Sequence, residues 1–293
     1  MRSLLFVPGD SERKLAKSLA SEADALILDL EDSVAPEAKP NARTITRDFL
    51  RSTAGKTKRP RLYVRTNALP TGLVDDDLQA AIAGRPDGIL LPKCESAADV
   101  ILLDAKLAVA EAHAGVEDGS TKILALVTET AASLFGLAGY RGASARLEGL
   151  TWGAEDLSAD LGAMAYRHAD GSFTDPYSLA RTLCLYAAVA ARVTPIDSVY
   201  VHFNDLEGLR ADAAAGVRDG FLAKMAIHPA QIPTINEMFT PTSAAIEWAE
   251  GVLAAFQANP GAGVLSYKGE MIDKPHIDRA ERLLARAKSL GLA

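Results

Sequence analysis

Cysteine is nearly absent from this chain, with only Cys94 and Cys184 in 293 residues. They lie far apart, with no CxxC pair and no Cys/His spacing beside them. The sequence therefore offers neither a disulfide framework nor a structural zinc site, and reduced, buried thiols are expected. Positive charge is also scarce. Lys and Arg number 31 against 38 Asp and Glu, a formal net charge of −7. That balance argues against nucleic acid or an anionic membrane as a general partner, while a local basic site for an anionic ligand stays open. Long apolar runs are missing. Ser3-Leu4-Leu5-Phe6-Val7-Pro8-Gly9 is too short for the core of a signal peptide, and no stretch approaches a membrane span. A cytoplasmic protein is expected. No Gly-x-Gly-x-x-Gly follows an early strand-like segment, so the fingerprint of a dinucleotide fold is absent.

What is present is a folding pattern. Hydrophobic residues make up 48% of the chain and mean hydropathy is close to zero, as in a globular protein with a large core. Eight short apolar segments recur: Leu4–Val7, Ala25–Leu30, Leu62–Arg65, Gly88–Leu91, Ile123–Val127, Leu147–Trp152, Ser198–His202 and Ala223–Ile227. Helical stretches lie between them, among them Ser11–Ala20, Pro36–Leu50, Ala97–Ala114, Pro176–Ala191 and Asp205–Val217. Eight strand–helix repeats joined by right-handed crossovers predict an α/β protein, a (β/α)8 TIM barrel with a C-terminal helical extension. A doubly wound open sheet is the alternative. The barrel is expected over 1–240. Phe239-Thr240-Pro241-Thr242 then stops one helix and starts another, opening an arm over 241–293. That arm reads as a helix over Ser243–Ala258, an extended piece over Val264–Asp273 and a last helix over Pro275–Leu290. An appendage of this kind packs on its own barrel or reaches a neighbouring subunit.

The expected strand ends carry Asp29, Glu31 and Asp32; Arg65 and Asn67; Pro92 and Lys93; Glu129; Glu155 and Asp156; His202 and Asn204; and His228. In a barrel these would meet on the face where such folds do chemistry. The stretch Leu150–Gly162 runs from apolar residues through Gly153-Ala154 to Glu155, Asp156 and Asp160. Acids so close repel one another unless a cation, a partner or solvent offsets them. They read either as a hard-metal site or as a helix start with Asp156 or Ser158 at its cap. With Glu129 ending the preceding strand, Glu129 and Asp156 would face each other across the barrel mouth. Two carboxylates with space for water or substrate oxygens suit Mg²⁺. Glu31 and Asp32 would hold the metal's waters, or else pair with Lys39, Arg43 or Lys93. Arg65 directly follows Leu62-Tyr63-Val64, where a guanidinium can grip a carboxylate with two parallel hydrogen bonds; the alternative is an ion pair with a nearby acid. His202 and His228 read as structural histidines, and Trp152 and Tyr63 as core.

Several motifs together carry a resemblance. Leu5-Phe6-Val7-Pro8-Gly9-Asp10, Leu28-Asp29-Leu30-Glu31-Asp32-Ser33-Val34, Val64-Arg65-Thr66-Asn67, Leu91-Pro92-Lys93, Thr128-Glu129-Thr130, Gly153-Ala154-Glu155-Asp156-Leu157 and Ile227-His228-Pro229 occur in order along almost the whole chain. The sequence resembles the citrate lyase beta subunit-like family of the aldolase/citrate lyase superfamily. That resemblance implies a TIM barrel, a homotrimer or hexamer, and Mg²⁺, with Mn²⁺ as a substitute. The implied reaction makes or breaks a carbon–carbon bond in a 3-hydroxyacyl thioester of the malyl-CoA, citramalyl-CoA or citryl type. Its partners would be a small 2-oxo acid and an acyl-CoA or acyl-carrier-protein thioester. By the same resemblance Glu129 and Asp156 are the metal ligands and Arg65 binds the oxo-acid carboxylate. Glu31 and Asp32 lie behind the metal, and Asp273 is the acid/base, delivered by the arm to a neighbouring subunit's site. Asp273 is equally well placed to cap the last helix. Lys14, Arg13 and Arg210 are candidates for the thioester's phosphates. The alternatives are a thioesterase of the malyl or citramalyl type and a carrier-protein-dependent citrate lyase beta subunit.

Overall fold

The computed structural model describes residues 1–292. Eight strands close into a barrel: β1 Ser3–Pro8, β2 Ala25–Asp29, β3 Arg61–Arg65, β4 Gly88–Leu91, β5 Lys122–Leu126, β6 Leu147–Thr151, β7 Thr194–Asp197 and β8 Ala223–Ala226. Each pairs in parallel with its sequence neighbour, and β1 closes the ring on β8 through Ser3↔Lys224, Leu4↔Met225 and Leu5↔Ala226. The apolar runs follow from this. A barrel strand is buried on both faces, by the lumen and by the helices outside, so it has no solvent side to alternate with. Leu4, Ile27, Tyr63, Leu90, Leu124, Leu126, Ile196 and Met225 fill the interior. Among the described residues no helix is long and apolar enough to cross a membrane. Cys94 and Cys184 are free and buried.

The helix starts are chemically specified. Ala97–Ala114 opens on a capping box in which the Ser96 side chain and Asp99 satisfy each other's backbone amides. Leu206–Asp219 starts at Asp205, whose carboxylate accepts from the Gly208 amide at 2.9 Å.

One strand is displaced from its expected position. The seventh is Thr194–Asp197, and Ser198–His202 is the segment that follows it. Pro195 and Asp197 disguise the true strand. The proline lacks an amide for the ladder, yet its carbonyl still accepts from Leu222. Asp197 is buried only because Trp152, Arg181 and Lys224 surround it. The alternation Ser198-Val199-Tyr200-Val201 looks like a strand but places Val199 and Val201 at the barrel mouth. The seventh strand end therefore offers Asp197 and Ser198, while His202 and Asn204 lie exposed further along.

The chain divides into two compact units, Met1–Asn236 and the residues from Glu237 onward. In the second, helix Ser243–Ala258 is capped by the Thr242 hydroxyl. An antiparallel hairpin follows, β9 Val264–Tyr267 and β10 Glu270–Asp273, turning through Lys268 and Gly269, both at positive φ as a tight hairpin turn requires. Helix Lys274–Ser289 completes the unit around Ala249, Val252, Ile272 and Ala280.

At the entry to β6, Arg146 lies 2.6 Å from Asp104, 2.8 Å from Glu111 and 2.6 Å from Asp118. Glu111 is fully buried. Arg146→Met would leave that carboxylate without a counter-ion, a loss of about 3–5 kcal/mol for a buried pair broken on one side. Urea denaturation should show the midpoint falling without a change in slope.

Candidate active site

The strand ends assemble the site by register. Asp29 and Arg65 are Cα partners on β2 and β3, so their side chains leave the sheet side by side. Arg65 Nε and Nη2 each donate to an Asp29 oxygen at 2.7 Å, the forked geometry that only a guanidinium makes. Its remaining nitrogen, Nη1, is 2.9 Å from Glu31 Oε2. That approach lacks hydrogen-bond alignment and leaves the buried Oε2 without a bonded donor. The guanidinium also covers the Phe6 ring at 4.8 Å. Burial alone would raise the Asp29 pKa, but Arg65 outweighs it and holds the carboxyl below its ordinary range.

Lys93 follows β4 in the left-handed region, with φ 49°. In this conformation its backbone amide donates to Glu129 Oε2 at 2.5 Å, and its ammonium reaches Glu31 at 2.6 Å, Asp32 at 3.3 Å and Asp156 at 3.3 Å. Of the three cations expected to pair with Glu31 and Asp32, Lys93 is the one that does. Lys39 donates to the carbonyls of Leu30 and Glu31, and Arg43 pairs with Asp76 and Asp77. Burial works against the Lys93 charge, yet the surrounding carboxylates raise its pKa.

Glu129 lies three residues beyond β5 and is 3% exposed. One oxygen is bonded to Lys93; the other, Oε1, has no partner among the described residues. Asp156 comes from the first turn of helix Ala154–Leu161, whose amino end favours negative charge. Gly153 occupies the N-cap position and no side chain caps the helix, so neither Asp156 nor Ser158 serves as its cap. A side chain at Gly153 would press on Glu129 Cγ at 3.2 Å, so glycine here admits the buried carboxylate. The other two acids of the stretch each have a protein partner, and Glu155 also lines the cavity at the barrel mouth. Glu155 accepts from the Tyr166 hydroxyl at 3.0 Å, and Asp160 from the Ala131 amide at 2.7 Å. Burial, then the charge of Asp156, push the Glu129 carboxyl up to about 8.

Glu129, Asp156, Arg65 and Asp29 line one cavity of about 350 Å³, closed on its apolar side by Phe6, Leu126, Trp152, Val199, Val201, Met225 and Ile227. Trp152 is therefore both core and cavity wall, fixed by its indole donating to Asp197 at 2.7 Å. Glu129 and Asp156 stem from adjacent β5 and β6, not from opposite sides of the mouth. Among the described residues no group of three or more His, Cys, Asp or Glu forms a cage for a metal. Two convergent carboxylates, one with an oxygen that no protein group engages, could hold a hard cation that keeps most of its own waters.

The remaining expected residues fall elsewhere. Arg13 and Lys14 are exposed on helix Glu12–Ser18, and Arg210 is on helix Leu206–Asp219. His228 caps the turn Pro229–Gln231 by accepting from the Ala230 amide, and its ring stacks on Phe203. In the second unit Asp273 begins helix Lys274–Ser289 through a capping box, with Oδ1 2.7 Å from His276 Nδ1. Ser33, Ser198, Val199 and Val201 line the cavity and were not singled out by sequence. The two valines were hidden by the misplaced seventh strand.

A closed (β/α)8 barrel with convergent acids and an arginine at the carboxyl ends of its strands is the plan of a barrel enzyme. The chain belongs to the HpcH/HpaI aldolase/citrate lyase family, whose sequence model matches residues 2–229; a second model, C–C bond lyase of the TIM-barrel fold, matches residues 176–292. It is thus a carbon–carbon lyase of the citrate lyase beta subunit-like type. It is 36% identical over 283 residues to the citrate lyase subunit beta-like protein of Mycobacterium tuberculosis, covering 97% of this chain and 94% of that one. It is 38% identical over 292 residues to the (3S)-malyl-CoA thioesterase of Cereibacter sphaeroides, covering 99% and 95%. Among solved structures it matches protein CitE of M. tuberculosis in complex with magnesium, acetoacetate and coenzyme A. There the TM-score is 0.79, with 36% identity and 98% of each chain covered.

The raised pKa of Glu129 sets a sign for stability. In the absence of metal the folded protein keeps the proton that the unfolded chain releases above pH about 4.5. Stability should therefore fall as pH rises from about 5 to 8, by up to about 1.4 kcal/mol per pH unit, and level off beyond. Glu129→Gln should flatten this dependence. Denaturation in EDTA across that range measures it, and parallel curves for the two proteins would refute the assignment.

Proposed function

We propose that this protein is a Mg²⁺-dependent oxo-acid lyase. It would cleave or form a 3-hydroxyacyl thioester of the malyl, citramalyl or citryl type from an acyl thioester and a 2-oxo acid. The observation that carries this is the cavity in which Glu129, with its unbonded oxygen, and Asp156 converge beside Arg65. Glu129 and Asp156 would hold the metal, with Mn²⁺ as a substitute, and Glu31 and Asp32 would orient its waters. When bound, Mg²⁺ supplies Lewis acidity to the keto oxygen of the oxo acid. The M. tuberculosis structure with magnesium, acetoacetate and coenzyme A supports the same ligand set here.

Each remaining role falls to a residue of this chain. Arg65 would bind the oxo-acid carboxylate with the edge now turned to Glu31, while its bidentate bond to Asp29 keeps the plane fixed. Trp152, Val199 and Val201 exclude water from the reacting carbons. In the condensing direction Asp273, delivered by the arm of an adjacent subunit in a trimer or hexamer, takes a proton from the α-carbon of the acyl thioester. The carbanion attacks the keto carbon, and the resulting alkoxide takes a proton from solvent. Cleavage reverses these steps, and Asp273 returns its proton to the α-carbon. Arg13, Lys14 and Arg210 are the cations proposed for the thioester's phosphates.

A second reading is favoured by the 38% identity to a (3S)-malyl-CoA thioesterase: the same site followed by hydrolysis. Product analysis with malyl-CoA separates the two. Glyoxylate and acetyl-CoA indicate a lyase, whereas malate and free CoA indicate a thioesterase. Turnover only with an acyl-carrier-protein thioester would indicate a citrate lyase beta subunit instead. Arg65→Lys should raise the KM for the oxo acid about 100-fold, because an ammonium lacks the planar donor array that lets one guanidinium grip Asp29 and present a free edge to the oxo acid. An unchanged KM would remove Arg65 from the binding role. Because Glu129 is protonated below pH about 8 in the metal-free protein, Mg²⁺ binding at pH 7 should release about one proton. Calorimetry in buffers of different ionisation enthalpy counts it.

A further inference from the structure

Five carboxylates and two cations stand along one arc of the barrel mouth, and their signs alternate. Asp29 bonds Arg65, Arg65 contacts Glu31, Glu31 bonds Lys93, and Lys93 contacts Asp156. Lys93 is the member that touches both halves of the proposed site. Its ammonium is tightly held by Glu31 at 2.6 Å but only loosely placed against Asp156 at 3.3 Å. Among the described residues it is also the one cation within reach of the Asp156 carboxylate. Its backbone amide meanwhile fixes the orientation of Glu129.

We infer that Lys93 is a built-in competitor for the divalent cation: its ammonium neutralises Asp156 in the metal-free protein and must yield that carboxylate when the metal binds. This deepens the reading of Glu129 and Asp156 as the metal site and rests on it. The geometry supplies somewhere for the ammonium to go, since Glu31 and Asp32 hold it whether or not Asp156 does. The side chain is about a third exposed, so a small shift toward solvent needs no repacking. Two positive charges cannot share Asp156 in a half-buried cavity without repulsion, so a lysine here lowers the affinity for metal alone. The physical result is a site that binds the cation weakly until an anionic oxo acid adds its own negative charge beside it. Lys93 is a positioning residue, acting on the reaction through Asp156 and Glu129.

The test uses the intact protein and the metal alone. Mg²⁺ binding is measured by calorimetry for wild type, K93M, K93R and D156N, with circular dichroism and thermal denaturation in EDTA establishing that each variant is folded. K93M should bind Mg²⁺ about tenfold more tightly than wild type, yet unfold at a lower temperature in EDTA. K93R keeps the charge and should bind the metal as wild type does. A K93M protein whose affinity equals or falls below that of wild type overturns the inference and makes Lys93 a structural support. D156N tests the underlying metal site separately. If it binds Mg²⁺ as wild type does, the metal assignment itself fails, and with it the competition.

Discussion

The site depends on a single constraint: more negative charge is collected at the barrel mouth than a protein interior tolerates unaided. Asp29, Glu31, Glu129 and the more exposed Asp32 and Asp156 stand against the cations Arg65 and Lys93. Each structural peculiarity of the mouth answers that imbalance. Asp29 is stabilised by a bidentate arginine. Lys93 adopts a left-handed backbone so that amide and ammonium serve different acids. Glu129 keeps a proton well above the usual carboxylate range. A site arranged in this way has stored electrostatic demand for a cation.

The barrel accounts for how such a demand can be met without loss of the fold. Parallel register sets Asp29 beside Arg65, and the sequential strand order brings the ends of β2 through β6 around one cavity. In the Arg146 cluster, by contrast, both oxygens of Glu111 accept hydrogen bonds from backbone amides as well as facing the guanidinium. The Glu111 network is closed by protein donors, whereas the network at the mouth leaves oxygens of Glu31 and Glu129 without a bonded donor.

Much of the architecture was legible because barrel strands are buried on both sides and appear as plain apolar runs. Seven of the eight segments lie where those runs are. The seventh strand was not legible, because Pro195 and Asp197 violate the pattern and are tolerated only through tertiary partners. Among the residues that line the cavity, Glu129, Asp156 and Arg65 could be named from their positions at strand ends. Their present partners could not: whether Glu31 faces Lys39, Arg43 or Lys93 turns on loop conformations that no periodicity encodes.

The sequence by itself determined the barrel, its acidic mouth and the family, since hydrophobic patterning and motif order are local properties. Only the tertiary structure decided that Glu155 and Asp156 line the cavity while Asp160 turns to the Ala131 amide, that Arg65 is already gripped by Asp29, and that Lys93 stands between the two halves of the site. Those outcomes depend on distances between residues remote in the chain, and electrostatic energy is set by distance and burial, not by composition.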